Sequence, residues 1–193
     1  MNEERTLFLK KHFPKNSIIC EVGVYTGNNA KRILNETQPK MLYLVDPWNY
    51  NILLDEEIRY GMTPPESITI ESVKAHQDNY KQCLKNIKEF EGKYKIIRET
   101  SKKASKLYPD DFFDIVYIDA CHVYNSVIED LNCWYPKIKK GGILSGHDYC
   151  TDSNTDVFIA VNDFCKKNNL KVSHFGKGPC NSDDSSSDFI IKV

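Results

Sequence analysis

Ile18-Ile19-Cys20-Glu21-Val22-Gly23-Val24-Tyr25-Thr26-Gly27 is the stretch on which the reading of this chain turns. Its apolar run is short enough for a buried strand, and Gly23 stops it. Beyond Gly27, Ala30, Ile33 and Leu34 recur at helical spacing, so the stretch reads as strand, turn and helix. A second apolar run, Met41-Leu42-Tyr43-Leu44-Val45, halts at Asp46-Pro47, where proline has no N–H to give to a ladder. Strand, helix and strand in this order make a βαβ unit. In an open α/β sheet the turn between Gly23 and Gly27 falls at the carboxyl edge, where ligands bind. Glycines let backbone approach a ligand closely, and a helix N-terminus offers unpaired N–H groups to an anion. Asp46 ends the next strand about 20 positions further on, the separation at which a carboxylate accepts from a ribose hydroxyl pair. Together these features indicate an adenosine-containing cofactor.

The alternation continues outward from this unit. Strands are predicted at Tyr94 to Arg98, Asp114 to Ile118, Gly141-Gly142 through Ser145, Lys171 to Phe175 and Asp188 to Val193. Helices are predicted over residues 67 to 90, where Val73, Gln77, Tyr80, Leu84 and Ile87 share a face, and near Ser101 to Tyr108, Asn125 to Ile138 and Thr155 to Lys167. Residues 48 to 66 mix asparagines, charges and Met62-Thr63-Pro64-Pro65, an irregular composition that suits a lid. The Gly-, Ser- and Asp-rich segment from Gly176 to Ser187 suits a hairpin loop better than a crossover, which makes the last strand antiparallel. The fold class is α/β: one Rossmann-like domain over residues 1–193 with a seven-stranded, mainly parallel sheet.

Composition narrows the partners. A chain of 193 residues has the length of one well-cored α/β domain. With 26 basic and 27 acidic side chains it has no net field to draw it onto nucleic acid or an anionic membrane, so a small molecule is the expected partner. The lysines of the 67–90 segment are interspersed with Glu71, Asp78, Glu89 and Glu91 and read as a solvated face. No run approaches the ~18 apolar residues of a spanning helix, and the first residues lack a signal-peptide core. A soluble, cytoplasmic protein is expected, with its oligomeric state left open, a homo-oligomer included. The seven cysteines are odd in number and show no C-x-x-C pair; reduced thiols are expected, several of them packed in the core.

The turn is E-x-G-x-x-x-G rather than the G-x-G-x-x-G of nicotinamide and flavin enzymes, with Glu21 just ahead of it. In this the chain resembles the class I S-adenosylmethionine-dependent methyltransferases. Arg98-Glu99-Thr100-Ser101, Phe113 through Asp119 and Gly141-Gly142-Ile143-Leu144 fall where that family carries its later motifs. The resemblance implies strand order 3-2-1-4-5-7-6 and cofactor contacts at Glu21, Gly23, Tyr25, Gly27, Asp46, Ser101 and Asp119. Two alternatives stay open: a nicotinamide-linked oxidoreductase, and a noncatalytic small-molecule-binding or assembly protein on the same fold.

Two further segments carry candidate chemistry. Asp119-Ala120-Cys121-His122 and His147-Asp148-Tyr149 each follow an apolar strand and reach the same carboxyl edge. Carboxylates with imidazole can hold a divalent cation, which would orient a substrate hydroxyl and lower its pKa. These segments are similar to the metal-dependent O-methyltransferases of sugars and other natural products and to the relatives called cephalosporin hydroxylases. That similarity implies Asp119 and Asp148, with His147, as ligands of magnesium or manganese, and His122 as general base for O-methylation of a small hydroxyl-bearing acceptor. His147 departs from the pattern, standing where an acid would. Trp48, Tyr25 and Tyr149 are expected to close the site.

Overall fold

A computed structural model describes residues 3–49, 51, 52, 55, 59, 70–151, 155–176 and 187–193. Its elements in chain order are α1 (Glu3–His12), β1 (Ile18–Val22), α2 (Asn28–Thr37), β2 (Met41–Val45), α3 (Ile70–Ile87), β3 (Tyr94–Ile97), α4 (Ser101–Ser105), β4 (Phe113–Ile118), α5 (Tyr124–Trp134), β5 (Ile138–Gly146), α6 (Asp156–Asn168), β6 (Val172–Phe175) and β7 (Asp188–Lys192). The seven strands form one sheet in the order β3-β2-β1-β4-β5-β7-β6. β1 through β5 are mutually parallel, while β7 runs antiparallel to both of its neighbours, β5 and β6. The expected architecture is the one observed. The lid expected over residues 48 to 66 and the loop after Gly176 lie mostly outside the described residues.

Period-two alternation along the buried strands divides the core between the two sheet faces. Phe113, Val116 and Ile118 of β4 pack with Leu131 and Trp134 of α5 and with Val161 and Phe164 of α6. Ile115 and Tyr117 of the same strand pack on the other face with Phe8 and Leu9 of α1, Ala30 and Ile33 of α2, and Cys83 and Ile87 of α3. With both faces covered by helices, the sheet's carboxyl edge is where backbone ends and loops remain available for ligands.

Local chemistry sets the element ends. Thr155 and Thr100 cap α6 and α4 by accepting from Phe158 N (3.3 Å) and Lys103 N (3.4 Å). Asn169, in the left-handed region at φ 55, ends α6. β5 begins earlier than its glycines suggest, because Phe113 pairs with Ile138 ahead of an irregularity in the register. α1 has no amphipathic stripe to announce it; tertiary packing holds it, with Phe8 against Phe13 and Phe175 at ring distances of 5.8 and 5.6 Å. The expectation of reduced thiols fails at Cys150, which is disulfide-bonded. Cys20, Cys83, Cys121, Cys133 and Cys165 are free. Among the described residues no helix is long and apolar enough to cross a membrane.

Candidate functional site

β1 leads into the glycine turn at the carboxyl edge, with β2 on one side and β4 on the other. Gly23 N donates to Val45 O (2.9 Å) and Asp119 N donates to Val22 O (2.7 Å), so the exits of β1, β2 and β4 are tied together. Gly23 sits at φ +85, and a Cβ there would stand 2.0 Å from the Asp119 carbonyl oxygen. Only glycine fits. Gly27, at φ +74, caps α2, and a Cβ there would meet Cys83 Sγ at 2.7 Å. Gly27 therefore serves close packing of α2 on α3.

Asp46 is the clamp of this turn. Its Oδ2 accepts from Val24 N (3.0 Å) and Tyr25 N (2.9 Å), and its Oδ1 accepts from Trp48 N (2.8 Å). Trp48 Nε1 returns to the turn by donating to Tyr25 O (2.7 Å). A carboxylate has about four acceptor positions; three are taken by backbone, which leaves one on Oδ1 for a ligand. Trp48 is 1% exposed and stacks on Tyr80 at 5.1 Å, and the Arg98 guanidinium lies 4.6 Å from the Tyr80 ring centre.

These groups border a cavity of about 590 Å³, a size usual for small-molecule sites. Gly23, Tyr25, Asp46 and Trp48 form one end of its lining; Thr100, Ser101, Ser126 and Asp130 another; Asp119, Ala120, Cys121 and His122 a third. Of the expected cofactor contacts, Gly23, Tyr25, Asp46, Ser101 and Asp119 line it, whereas Glu21 and Gly27 do not. Glu21 is 1% exposed: Asn29 Nδ2 donates to its Oε1 (3.0 Å), and Oε2 has no partner among the described residues. Burial pushes its carboxyl up to about 8. Ser101 Oγ donates to Asp130 Oδ1 and accepts from Trp134 Nε1 (2.8 Å). Asp130 is only 3% exposed, and a single acid inside a helix carries no local sequence signal of such a place.

The four ionisable groups expected after β4 and β5 lie close together. His122 Nε2 lies 3.0 Å from Asp148 Oδ2 and 3.8 Å from Asp119 Oδ1. His147 Nδ1 lies 3.1 and 3.9 Å from the same two oxygens. His147 and Asp148 do not line the cavity; His122 joins them to it. Asp119, His122 and Asp148 offer ligand atoms all within 4.8 Å of one another, so the residue expected as base stands among the expected ligands. The facing carboxylates of Asp119 and Asp148 hold His122 above the ordinary imidazole pKa against the opposing effect of burial. Burial would raise Asp148, but hydrogen bonding to His147 and the charges of His147, His122 and Arg5 hold it below the ordinary carboxylate value. Alongside, Tyr117 OH donates to the fully buried Asp188 (2.6 Å), whose Oδ1 is 3.8 Å from Arg5 Nε.

Tyr149 does not close the site. It is 5% exposed, stacks on Phe158 at 5.0 Å, and its hydroxyl accepts from Asn162 Nδ2 (2.9 Å). It is a core residue, whereas Tyr25 and Trp48 do border the cavity.

Comparison with known proteins places this geometry. Residues 20–149 match the family described as methyltransferase domain. No curated protein matches the chain significantly. Among solved structures, a methyltransferase-like protein from Streptococcus mutans, SMU.1697c, in complex with S-adenosylhomocysteine, aligns at TM-score 0.60 and 14% identity over 98% of this chain and 96% of its own. Precorrin-6y C5,15-methyltransferase from Geobacter metallireducens aligns at TM-score 0.61 and 12% identity, covering 99% and 89%. TYW2 from M. jannaschii in complex with S-adenosylmethionine aligns at TM-score 0.57 and 12% identity, covering 99% and 74%. At such identities the likeness is one of fold.

Proposed function

Because the chain belongs to the methyltransferase-domain family, we propose that it transfers a methyl group from S-adenosylmethionine to a hydroxyl of a small molecule. The observation that carries this reading is the turn at Gly23, held open at the cavity wall by Asp46, with Asp119 and His122 in the same cavity. The residues fit the cofactor: Asp46 Oδ1 keeps an acceptor position for a ribose hydroxyl, and Ser101 and Asp130 supply polar atoms farther along the lining. S-adenosylmethionine, when bound, supplies an electrophilic methyl group. In such a transfer the acceptor oxygen would bond to that carbon as its bond to sulfur broke, the electron pair staying on sulfur, and the hydroxyl proton would have to leave.

The chain's own residues orient the oxygen and remove the proton. Asp119, His122 and Asp148 would hold a divalent ion, with His147 beside them, a reading supported by ligand atoms within 4.8 Å of one another, and such an ion would lower the pKa of an acceptor hydroxyl. His122 Nε2 has one lone pair, so it serves either as ligand or as general base. Without an ion it is the base, and the two carboxylates stabilise the imidazolium formed when it takes the proton.

Calorimetry with S-adenosylmethionine, S-adenosylhomocysteine and NAD tests the cofactor assignment; NAD binding with no response to the other two would replace it by oxidoreductase chemistry. A screen of sugars, phenols and small hydroxylated metabolites with the cofactor then tests the acceptor. On any acceptor found, chelation that abolishes turnover favours His122 as ligand. Turnover that survives chelation and is lost in His122→Ala favours it as base. Cofactor binding without methylation of any acceptor supports the noncatalytic binder instead.

A further inference from the structure

The donor set at the reaction end speaks to which ion would bind there. Two carboxylates, Asp119 and Asp148, supply oxygen, and each is approached by the same two imidazoles. His122 Nε2 stands 3.0 Å from Asp148 Oδ2 and 3.8 Å from Asp119 Oδ1; His147 Nδ1 stands 3.1 and 3.9 Å from the same atoms. An ion that engages both carboxylates therefore meets nitrogen as well as oxygen. Among the described residues, Asp188 also interacts with His147 and Asp119 through its charge, but it is fully buried, with Oδ1 taken by the Tyr117 hydroxyl at 2.6 Å, and does not complete an all-oxygen shell.

Magnesium asks for near-octahedral oxygen, surrenders its water reluctantly and gains little from imidazole. First-row transition ions bind imidazole well and gain affinity along the series from manganese through cobalt and nickel to copper, falling back at zinc. Resting on the metal reading proposed above, we infer that the Asp119–His122–Asp148 cluster, flanked by His147, selects a first-row transition ion over magnesium. The selecting group is His122: it lines the 590 Å³ cavity together with Asp119, so its nitrogen and that carboxylate both border the space an acceptor would enter. An acceptor oxygen reaching that ion would face a centre of mixed nitrogen and oxygen ligands.

The test uses the full chain, stripped of metal by chelator and kept at one pH. Calorimetric titration with cobalt(II), manganese(II) and magnesium(II) measures affinity, and the visible absorption of bound cobalt(II) reports its ligand field. One cobalt(II) per chain is expected, held about 10-fold or more tighter than magnesium and resistant to a large magnesium excess. His122→Ala should weaken cobalt(II) about 10- to 100-fold and change its spectrum while leaving magnesium affinity nearly as it was. A parallel titration with S-adenosylmethionine verifies that the variant retains its cofactor site. Magnesium binding as tightly as cobalt(II), or an unchanged cobalt(II) affinity and spectrum in His122→Ala, overturns the inference and leaves a metal site standing. Binding of none of the three ions removes the metal reading itself, and the inference with it.

Discussion

Replacing Asp46 by alanine separates two roles that a carboxylate at the end of β2 can play. If Asp46 only receives a cofactor hydroxyl, the free protein should not miss it. The structure assigns it more: three backbone N–H groups, of Val24, Tyr25 and Trp48, point at its two oxygens at 3.0, 2.9 and 2.8 Å. The Tyr25 bond is exposed, so water replaces it at little cost. The Val24 and Trp48 bonds are partly buried, and hydrogen bonds to a charged acceptor are worth about 1.5–3 kcal/mol each when solvent is excluded. Allowing for partial exposure, Asp46→Ala should cost the free protein about 2–4 kcal/mol. Asp46→Asn should cost about half as much, since its amide oxygen can keep the Val24 and Tyr25 donors while its NH₂ faces the Trp48 donor. Urea denaturation of the ligand-free protein gives the first number. Calorimetry with S-adenosylhomocysteine gives the second effect, a further loss of about 1–3 kcal/mol of binding from the remaining acceptor position. An Asp46→Ala protein as stable as the parent but weaker for the cofactor would refute the clamp and leave only the ligand contact.

Gly23→Ala should be worse than either, because its Cβ would fall 2.0 Å from a backbone oxygen at a φ of +85. Strain and overpacking together predict a loss on the order of 3–5 kcal/mol and no measurable cofactor binding, readable by thermal denaturation and calorimetry. Glu21 carries a pH signature. Its folded pKa of about 8 lies above the ordinary 4.5, so folding takes up a proton between these values. The parent should therefore lose stability as pH rises from about 4.5 to 8 and level off above. Glu21→Gln should match it at pH 5 and exceed it by on the order of 3 kcal/mol at pH 8. Equal urea midpoints for the two proteins at both pH values would refute a buried neutral carboxyl. Tyr149→Phe removes the bond to Asn162 and nothing in the cavity, so stability should fall by about 1 kcal/mol with cofactor affinity unchanged; a weaker cofactor would return Tyr149 to the site.

The amino-acid sequence alone determined the strands, their direction and the place of the ligand edge, because these follow from local rules. Alternation in Ile115 through Ile118 commits side chains to opposite faces whatever the rest of the chain does, whereas Phe113, ahead of the register irregularity, departs from it. Gly23 declares a turn in the same local way. α1 escaped because its charged residues form no stripe and its order comes from Phe8 meeting Phe13 and Phe175. At the site, local reading brought Asp119, His122, His147 and Asp148 to one edge, but distance decided what each does there. His122 stands 3.0 Å from Asp148 across a gap of 26 residues in the chain, and no spacing rule encodes that. The same holds for Asp46, whose oxygens are taken by the turn they were expected to serve, and for Asp130, which becomes a cavity residue only when α5 packs beside Ser101. Glu21 and Tyr149 lie within a residue or two of cavity-lining or candidate metal-ligand positions, and the pleat and packing turn them into the interior instead. Sequence specifies which groups arrive at the sheet edge; the directions of side chains, and hence the hydrogen bonds and charge pairs that give them chemistry, exist only once segments far apart in the chain are packed together.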